Sequence, residues 1–297
     1  MKVLVTGAAG FVGAAATRAL MDAGHEVVAP LRESTNAARL QGLAIATPRL
    51  ALEDEAAVSA LLAAEAPRAI LHAAWYAGPT DYLDAAENEA CAAVTLALGQ
   101  AAVRAGVERF VGVGSCAEYA AQDQPHREGD ACAPTSLYGR SKVLAHEGLT
   151  ALFADAGVGF AWARLFHLHG PGEAPLRLLP WVAARLRAGQ EVALTPGAQV
   201  RDHLHIDDAG RALAMLVDHD LRCAVNVASG IPVTLRAVLE VLGALLERPE
   251  LLRFGTRPYR AGEPMHLCAD VSRLRALGFR PHWEDLRRGL AHALGVL

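Results

Sequence analysis

The chain has 297 residues, 53% of them hydrophobic, and its 28 Lys and Arg nearly balance its 32 Asp and Glu, for a net charge of −4. This composition supplies enough apolar surface for a large core and argues against a disordered chain. Because no basic stripe stands out, nucleic acid is not an expected partner.

The first half of the chain alternates short β-branched runs with longer, alanine-rich helical stretches. The predicted order is strand 2–6, helix 11–23, strand 25–30, helix 56–64, strand 69–72, helix 87–105, strand 109–113, helix 136–156 and strand 159–165. An alternating order of this kind predicts right-handed crossovers and a parallel sheet covered by helices on both faces.

The rhythm changes after residue 165, where a segment rich in Pro and Gly is followed by charged helices and short loops. A helix is expected over 207–218, and a late strand over 224–228 returns to the sheet. We therefore predict an α/β fold in which residues 1–165, plus about 202–228, form a Rossmann-type doubly wound parallel sheet. Residues 166–201 and 229–297 would form a smaller C-terminal lobe, and a substrate is expected in the cleft between the two.

A glycine-rich turn directly follows the first strand and has the sequence Gly7-Ala8-Ala9-Gly10-Phe11-Val12-Gly13. Gly7 permits a tight turn, Gly10 lets the backbone approach a pyrophosphate, and Gly13 lets the helix pack close to the sheet. The N-terminus of the following helix offers free N–H groups and partial positive charge to phosphates. A turn without a ligand is the alternative, but the position after the first strand favours a dinucleotide loop.

The end of the second strand bears on the choice between NAD and NADP. An acidic residue there would accept hydrogen bonds from the 2′-hydroxyl of NAD, whereas this chain has Leu31 followed by Arg32, with Ser34 and Thr35 as hydroxyl donors. A guanidinium can bind a 2′-phosphate through two hydrogen bonds. NADP is therefore favoured, although Glu33 could serve NAD and Arg32 could be a solvated loop charge.

Tyr138 and Lys142 form a Y-x-x-x-K pattern at the start of a predicted helix, which places both side chains on one face. A free tyrosine titrates near pH 10, and a neighbouring ammonium would lower its pKa and make it a usable proton donor or acceptor. Ser115 lies at the end of a strand, where it would hydrogen-bond a substrate oxygen. Alone the pattern is weak, but after a glycine fingerprint it predicts hydride-transfer chemistry.

The segment TGAAGFVG closely resembles the fingerprint of the short-chain dehydrogenase/reductase superfamily, extended subfamily. The likeness to the members that act on nucleotide sugars extends over nearly the whole chain. It includes His72-Ala73-Ala74, Asn88, Ser115 with Tyr138 and Lys142, Arg164-Leu165-Phe166, Gly170-Pro171-Gly172, the stretch Arg201–Asp208, Tyr259–Glu263 and Leu277–Pro281.

The resemblance implies roles for individual residues and a homodimer formed through helices 87–105 and 136–156. Ser115, Tyr138 and Lys142 would be catalytic. The cofactor would be bound by Gly7, Ala9, Gly10, Phe11, Val12, Gly13, Arg32, Ser34, Ala73, Ala74, Tyr138, Lys142 and Leu165. The substrate, a nucleotide-diphosphate sugar, would be bound by Trp75, Tyr76, Asn88, Ser115, His167, Arg201 and Arg260. The two arginines would face the nucleotide or its diphosphate, although either could be a surface ion-pair residue.

Departures from the family pattern bear on the reaction. Similar 4,6-dehydratases carry Thr-Asp-Glu where this chain has Ser115-Cys116-Ala117, and Glu118 stands one position too late to replace the missing acid. The 3,5-epimerising members carry a Cys where this chain has Ala117, and Cys116 is interpreted as a small buried residue. Simple reduction remains, and we expect NADPH-dependent reduction of the 4-keto group of a nucleotide-diphospho-4-keto-6-deoxysugar.

Two other functions stay open. A nucleotide-sugar 4-epimerase would oxidise and re-reduce one carbon, typically with NAD, and a non-catalytic NADP-sensing regulator could use the same fold. No metal site is expected, because the five cysteines form no C-x-x-C pair and His169, His203 and His205 are interpreted as scattered. Reduced thiols, the absence of a signal-peptide pattern and the absence of an apolar run of roughly 20 residues predict a cytoplasmic protein without a membrane span.

Overall fold

The computed structural model describes residues 1–78 and 80–297. Its strands are β1 (Lys2–Thr6), β2 (Glu26–Val28), β3 (Ala69–His72), β4 (Arg109–Ser115), β5 (Gly159–Leu165), β6 (His167–His169), β7 (Val192–Ala193), β8 (Val200–His205), β9 (Ala224–Val227), β10 (Pro232–Thr234), β11 (Leu252–Arg253) and β12 (His266–Leu267). Its helices are α1 (Phe11–Asp22), α2 (Glu55–Glu65), α3 (Glu87–Arg104), α4 (Leu137–Ala156), α5 (Leu178–Arg187), α6 (Ile206–Asp218), α7 (Leu235–Leu245), α8 (Ser272–Ala276) and α9 (Leu286–Leu294).

The described chain divides into two compact units. The first unit comprises residues 1–120, 131–165 and 209–225, and the second unit comprises residues 121–130, 166–208 and 226–297. This division differs from the predicted one at residues 121–130, 202–208 and 226–228, all of which lie in the second unit. Backbone hydrogen bonds of 2.8 Å join His126 to Cys268 and Asp270, and a short polar stretch gives no sequence signal for such a distant pairing.

A six-stranded sheet in the order β2-β1-β3-β4-β5-β9 forms the centre of the first unit. The pairs from β2 to β5 are parallel, and β1, β3, β4 and β5 are buried almost throughout, as expected for strands with helices on both faces. The predicted α/β fold with a Rossmann-type parallel sheet is confirmed. The strand order reverses between β1 and β3, the point where ligands bind in folds of this class.

The second unit contains a smaller sheet and a helical layer. Strand β8 pairs with β10 antiparallel and with β12 and β6 parallel. Helices α5, α7 and α9 bury an apolar cluster that includes Val182, Leu186, Val238, Leu242 and Leu290. Among the described residues, no helix is long and apolar enough to cross a membrane.

Candidate active site

The glycine loop connects β1 to α1 and has the geometry of a phosphate-binding turn. Gly7 has a φ of 72°, in the left-handed region that favours glycine. A Cβ on Gly7 would lie 2.6 Å from the backbone of Ala73 and Ala74, and one on Gly13 would lie 2.1 Å from the Gly7 carbonyl oxygen. Only glycine fits at either position. Because Gly7 has no side chain, the loop can approach Ala73 and Ala74, two of the predicted cofactor-binding residues, at the carboxyl edge of the sheet. This cradle fits a dinucleotide.

Arginines gather at the end of the second strand. Leu31 is buried, whereas Arg32 and Ser34 are exposed, and the Arg49 guanidinium donates a hydrogen bond of 2.9 Å to the Arg32 carbonyl oxygen. Sequence reasoning missed Arg39, whose guanidinium donates a hydrogen bond of 3.3 Å to the carbonyl oxygen of Ala9 in the glycine loop. Its only sequence signal is its place eleven residues after the end of β2.

Ser115 ends β4 and begins a single helical turn of residues Cys116–Glu118. Its side-chain oxygen accepts a hydrogen bond from the Ala117 N–H, and its own N–H donates to the Glu118 carboxylate at 2.7 Å. Because the chain turns here rather than continuing extended, Glu118 points into the protein. There its carboxylate accepts hydrogen bonds from Trp162 Nε1 at 3.0 Å and Arg164 Nε at 2.7 Å.

Tyr138 and Lys142 come from the first turns of α4, which is capped by Ser136 accepting a hydrogen bond from the Gly139 N–H. The Tyr138 ring packs edge-on against Tyr82 and Trp75, with ring centroids 5.1 and 6.2 Å away. The Ser115 hydroxyl is hydrogen-bonded to Tyr138. The structure therefore brings together the three predicted catalytic side chains at the end of β4, in an arrangement suited to proton transfer at an oxygen.

The pKa values of this pair depart from the sequence expectation. Burial raises the pKa of Tyr138 well above its usual value, against the opposing effect of the hydrogen bond from Ser115. The predicted lowering by Lys142 is wrong for this structure, because the Lys142 ammonium donates to the Val113 carbonyl oxygen at 2.7 Å and lies 5.8 Å from the Tyr138 ring centroid. Burial also lowers the pKa of Lys142 to about 7.

Trp75 and Asn88 contact each other rather than pointing to open space. The Trp75 indole N–H donates to the Asn88 side-chain oxygen at 2.8 Å, and the Asn88 amide donates to the carbonyl oxygens of Tyr82 and Ala85. The Lys142 ammonium lies 3.5 Å from the centroid of the Trp75 ring. Asn88 is fully buried, so its geometry is that of a residue that positions Trp75.

Tyr76 and Leu165 complete the predicted residues of the first unit. The Tyr76 hydroxyl donates to the Asp81 carboxylate at 3.0 Å, and the Tyr76 backbone N–H donates to the Cys91 sulfur at 3.3 Å. Leu165 is buried at the end of β5 and pairs in register with Ser115. Leu165 is therefore at the same sheet edge as Ser115, where the cofactor role was predicted.

The predicted substrate-binding residues of the second unit differ in burial and in their contacts. Arg201 is buried on β8, and its guanidinium lies 3.3 Å from the Glu263 carboxylate. Arg260 is exposed in the loop that leads to Glu263, and His167 stands on β6 with a pKa lowered by burial to about 4. The diphosphate and substrate contacts of these three residues stay predictions.

Two aspartates of the stretch 201–208 prove to be structural anchors. The Asp202 carboxylate accepts hydrogen bonds from the Ser229 hydroxyl and from the backbone N–H groups of Ser229, Gly230 and Ala269. The Asp208 carboxylate accepts from the backbone N–H groups of His282 and Trp283. Buried carboxylates that accept several N–H donors hold distant segments together, which the motif alone does not reveal.

The interpretation of His169, His203 and His205 as scattered is wrong. The ring centroids of His169 and His203 are 6.3 Å apart, and those of His169 and His205 are 5.4 Å apart. The three histidines stand on β6 and β8, whose parallel pairing could not be read from the sequence. They lie in the second unit and form a group of their own.

Known proteins resemble this chain over most of its length. The model of the NAD dependent epimerase/dehydratase family matches residues 3–228. A 2′-dehydrokanamycin reductase of Streptomyces kanamyceticus is 33% identical over 256 residues, covering 84% of this chain and 68% of that protein. A UDP-glucose 4-epimerase of Rhizobium meliloti is 28% identical over 312 residues, covering 95% of this chain and 93% of that protein.

A solved structure gives the same result for the fold. The dTDP-glucose 4,6-dehydratase DesIV of Streptomyces venezuelae, solved with NAD bound, has a TM-score of 0.87 and 25% identity, covering 100% of this chain and 96% of that one. The predicted resemblance to the extended short-chain dehydrogenases/reductases is confirmed, and a nicotinamide dinucleotide is the cofactor that these findings support. The chain belongs to the NAD-dependent epimerase/dehydratase family, whose members are extended short-chain dehydrogenases/reductases.

Proposed function

We propose that this protein uses NADPH to reduce the 4-keto group of a nucleotide-diphospho-4-keto-6-deoxysugar. The observation that carries the proposal is the turn after β4. It presents the Ser115 hydroxyl to Tyr138, while Cys116 and Ala117 stand where similar dehydratases carry two acids. The nearest carboxylate along the chain, Glu118, is buried and holds three donors. The site therefore has a proton donor for reduction, Tyr138, and lacks the acid and base that water elimination requires.

The chain's own residues would divide the work as follows. When bound, the nicotinamide supplies hydride to the sugar carbon. Tyr138 donates a proton to the carbonyl oxygen, and the Ser115 hydroxyl orients that oxygen by a hydrogen bond. Burial raises the pKa of Tyr138, which keeps its hydroxyl protonated but makes it a weaker acid, so a nearby Lys142 ammonium would be needed to lower that pKa for proton donation. The Lys142 ammonium donates one hydrogen bond to the Val113 carbonyl oxygen. Breaking that hydrogen bond would let Lys142 approach Tyr138 and the cofactor.

The choice of NADPH depends on the arginines around the second strand end. Leu31 cannot bind the 2′-hydroxyl of NAD, whereas Arg32 and Arg39 can bind a 2′-phosphate. Arg39 also contacts the glycine loop itself. The reductase of Streptomyces kanamyceticus supports a reductive reaction on a sugar ketone, while the NAD in the DesIV structure is the strongest argument for the other cofactor.

A nucleotide-sugar 4-epimerase is the second candidate, favoured by the likeness to the UDP-glucose 4-epimerase over 95% of the chain. The same Ser115, Tyr138 and Lys142 could move a proton in both directions, and only the fate of the cofactor separates the two reactions. A non-catalytic NADP-sensing regulator is disfavoured, because such proteins commonly lose the Tyr and Lys pair.

The test is incubation of the protein with NADPH or NADH and a panel of nucleotide-diphospho-4-keto-6-deoxysugars. Cofactor absorbance and product stereochemistry are followed together. We expect stoichiometric loss of NADPH absorbance with formation of a 4-hydroxy sugar. Inversion of UDP-glucose or a similar sugar without net cofactor consumption would replace the reductase with the epimerase. Bound NADP without turnover of any sugar would favour the regulator. The predicted homodimer is checked on the same preparation by light scattering.

A further inference from the structure

A row of histidines runs through the second unit. Strands β6 and β8 pair in parallel with His167 opposite His203 and His169 opposite His205. Side chains two residues apart on a strand point to the same face, so four imidazoles share one face of this pair. His292, on α9, extends the row, with its ring centroid 5.1 Å from that of His205.

The inner end of the row is a close pair of ring nitrogens. His292 Nδ1 lies 3.1 Å from His205 Nε2, and His205 Nδ1 accepts a hydrogen bond from the Asp207 backbone N–H at 3.2 Å. In the metal-free protein this second bond places the proton of neutral His205 on Nε2, which then donates to His292 Nδ1. Two nitrogens bound to one tetrahedral zinc at about 2.05 Å would be about 3.3 Å apart. The pair therefore already has nearly the spacing of two ligands.

A carboxylate completes a three-residue group. One ligand atom each from His205, Asp207 and His292 all lie within 4.8 Å of one another, and Asp207 is half exposed. Trp283 closes one side, stacked on the His292 ring at 4.5 Å and tilted over the His205 ring at 4.7 Å. The group therefore has one buried donor, His205, an aromatic wall and a partly exposed side from which a hydrated ion can enter.

His169 adds a further buried imidazole beside this group. It is 2% exposed, and its ring nitrogens make no hydrogen bond of standard length and angle to the residues that the structure describes, while a backbone hydrogen-bond interaction with Leu204 opposes the lowering of its pKa by burial. Its Nε2 lies 2.8 Å from the point where a Cβ of Gly289 would stand, and His205 Cδ2 lies 3.8 Å from the same point. Gly289 is three residues before His292 on α9. The bare backbone there leaves room for His169 beside His205.

We propose that His205, Asp207 and His292 bind a divalent transition-metal ion of the zinc class, and that His169, which lies outside this three-residue group, turns toward the ion as the fourth donor. Imidazole and carboxylate together suit zinc, cobalt, nickel and copper, whereas magnesium and calcium take oxygen ligands. The ion would replace the hydrogen between the two facing nitrogens, and the His205 proton would move to Nδ1, 3.6 Å from an Asp207 carboxylate oxygen. The hydrogen bond from the Asp207 backbone N–H to Nδ1 would then be lost.

The ion would join three elements of the second unit. It would connect β8 to the first turn of α6 through His205 and Asp207, and both to α9 through His292. The last helix of the chain would then be fixed to the sheet by coordination as well as by apolar packing. A ligand that binds only the folded state stabilises it, so the metal is expected to raise the thermal unfolding temperature.

The experiment uses the full chain without a histidine tag, treated with a chelator and then titrated with Co²⁺ alone. We expect one equivalent to bind with the visible absorption bands of tetrahedral cobalt, and Zn²⁺ to displace it. Separate Cu²⁺ titrations should quench tryptophan fluorescence, and Trp283→Phe should remove that quenching. His292→Gln, Asp207→Asn and His169→Gln should each weaken Co²⁺ binding by at least about tenfold.

His219→Gln is the matched control, because His219 forms an exposed pair with Asp220 at 3.2 Å and should leave binding unchanged. Absence of a Co²⁺ band in the folded wild-type protein would overturn the proposal. Binding that survives the variants of His292, Asp207 and His169 would also overturn it. All three variants are monitored by circular dichroism, and His292 and Asp207 are partly exposed, so their substitution is compatible with folding.

Discussion

The two units hold their buried polar side chains in contrasting ways. In the first unit, the Glu118 carboxylate accepts three hydrogen bonds from Ser115, Trp162 and Arg164. His72 is hydrogen-bonded through both ring nitrogens. In the second unit, the ring nitrogens of His169 and His203 are buried without a hydrogen bond. Equal burial thus goes with full pairing of Glu118 and His72 in the first unit, where Thr17 Oγ1 nevertheless lacks a partner among the described residues, and with unpaired imidazole nitrogens in the second.

The difference distinguishes groups that hold a structure from groups that can receive a ligand. A buried polar group without a partner costs about 1–3 kcal/mol relative to a paired one, and proteins keep few of them. The paired groups of the first unit surround Ser115 and the glycine loop, where they fix the backbone. The unpaired ring nitrogens of the second unit include those of His167, His169 and His203 on β6 and β8 and of His266 on β12. Their presence on paired strands is what favours a ligand over random imperfect packing.

The largest expected effect is on the stability of the first unit and comes from Glu118→Gln. The Glu118–Arg164 pair is 2.7 Å long, with side chains 0% and 3% exposed. Removing one partner of a buried ion pair leaves the other charge unpaired, so we expect the free energy of unfolding to fall by about 3–5 kcal/mol. Urea denaturation measures the change.

Glu108→Gln makes the same substitution in an exposed pair and serves as the control. Glu108 and Arg68 are also 2.7 Å apart, but their side chains are 60% and 61% exposed. An exposed pair is screened by solvent and contributes far less to stability than a buried pair. Equal losses from both variants would show that burial of the Glu118 network does not carry the stability of this unit.

Catalysis should respond to Tyr138→Phe with the second largest effect. The substitution keeps the ring and its edge-on contacts but removes the hydroxyl hydrogen-bonded to Ser115. Loss of a general acid lowers kcat by at least about 100-fold. Tyr82→Phe, on the ring 5.1 Å from Tyr138, is expected to keep kcat within a few fold. Near-normal turnover of Tyr138→Phe in the keto-sugar assay would refute its role as proton donor.

The sequence predicted the sheet, the glycine loop and the position of Ser115, Tyr138 and Lys142, because each depends on local pattern. Strand periodicity, glycine spacing and an i, i+4 pair are all short-range signals. It did not predict the Glu118–Arg164 pair or the histidine row. Both depend on contacts between residues that are distant in the chain. Glu118 and Arg164 are 46 residues apart, and His167 and His203 are 36 residues apart. The direction of the Glu118 side chain also depends on the helical turn Cys116–Glu118, which the sequence pattern did not indicate.

His72, whose two ring nitrogens are both hydrogen-bonded, is expected to make the protein less stable in acid. Burial, with a smaller effect of Lys142, lowers its pKa to about 3. As the pH falls, His72 therefore binds a proton in the unfolded chain before it does so in the folded protein. The contribution of His72 to the free energy of unfolding is complete above about pH 6.5 and is lost toward pH 3. Between pH 7 and 5 the wild type should lose about 2 kcal/mol more than His72→Gln, whose amide does not titrate.

That difference is measured by urea denaturation of both proteins at the two pH values. Thr6 and Thr95, the hydroxyl partners of His72, can hydrogen-bond a glutamine amide, so the variant isolates the titration from the loss of the side chain. Parallel losses in the two proteins would mean that His72 becomes protonated inside the fold without a large penalty.

The smallest effect is expected at Arg39, and it separates a structural hydrogen bond from cofactor recognition. Its guanidinium donates to Ala9 in the glycine loop, as a purely structural residue also would. A charge-assisted hydrogen bond to a 2′-phosphate contributes about 1.5 kcal/mol, so Arg39→Ala should raise KM for NADPH by about tenfold and leave KM for NADH nearly unchanged. Arg104→Ala, at the end of α3, controls for loss of one positive charge. A distorted glycine loop would instead raise both KM values together, because both cofactors carry the same pyrophosphate. The ratio of the two KM values, rather than either alone, therefore decides whether Arg39 recognises the 2′-phosphate.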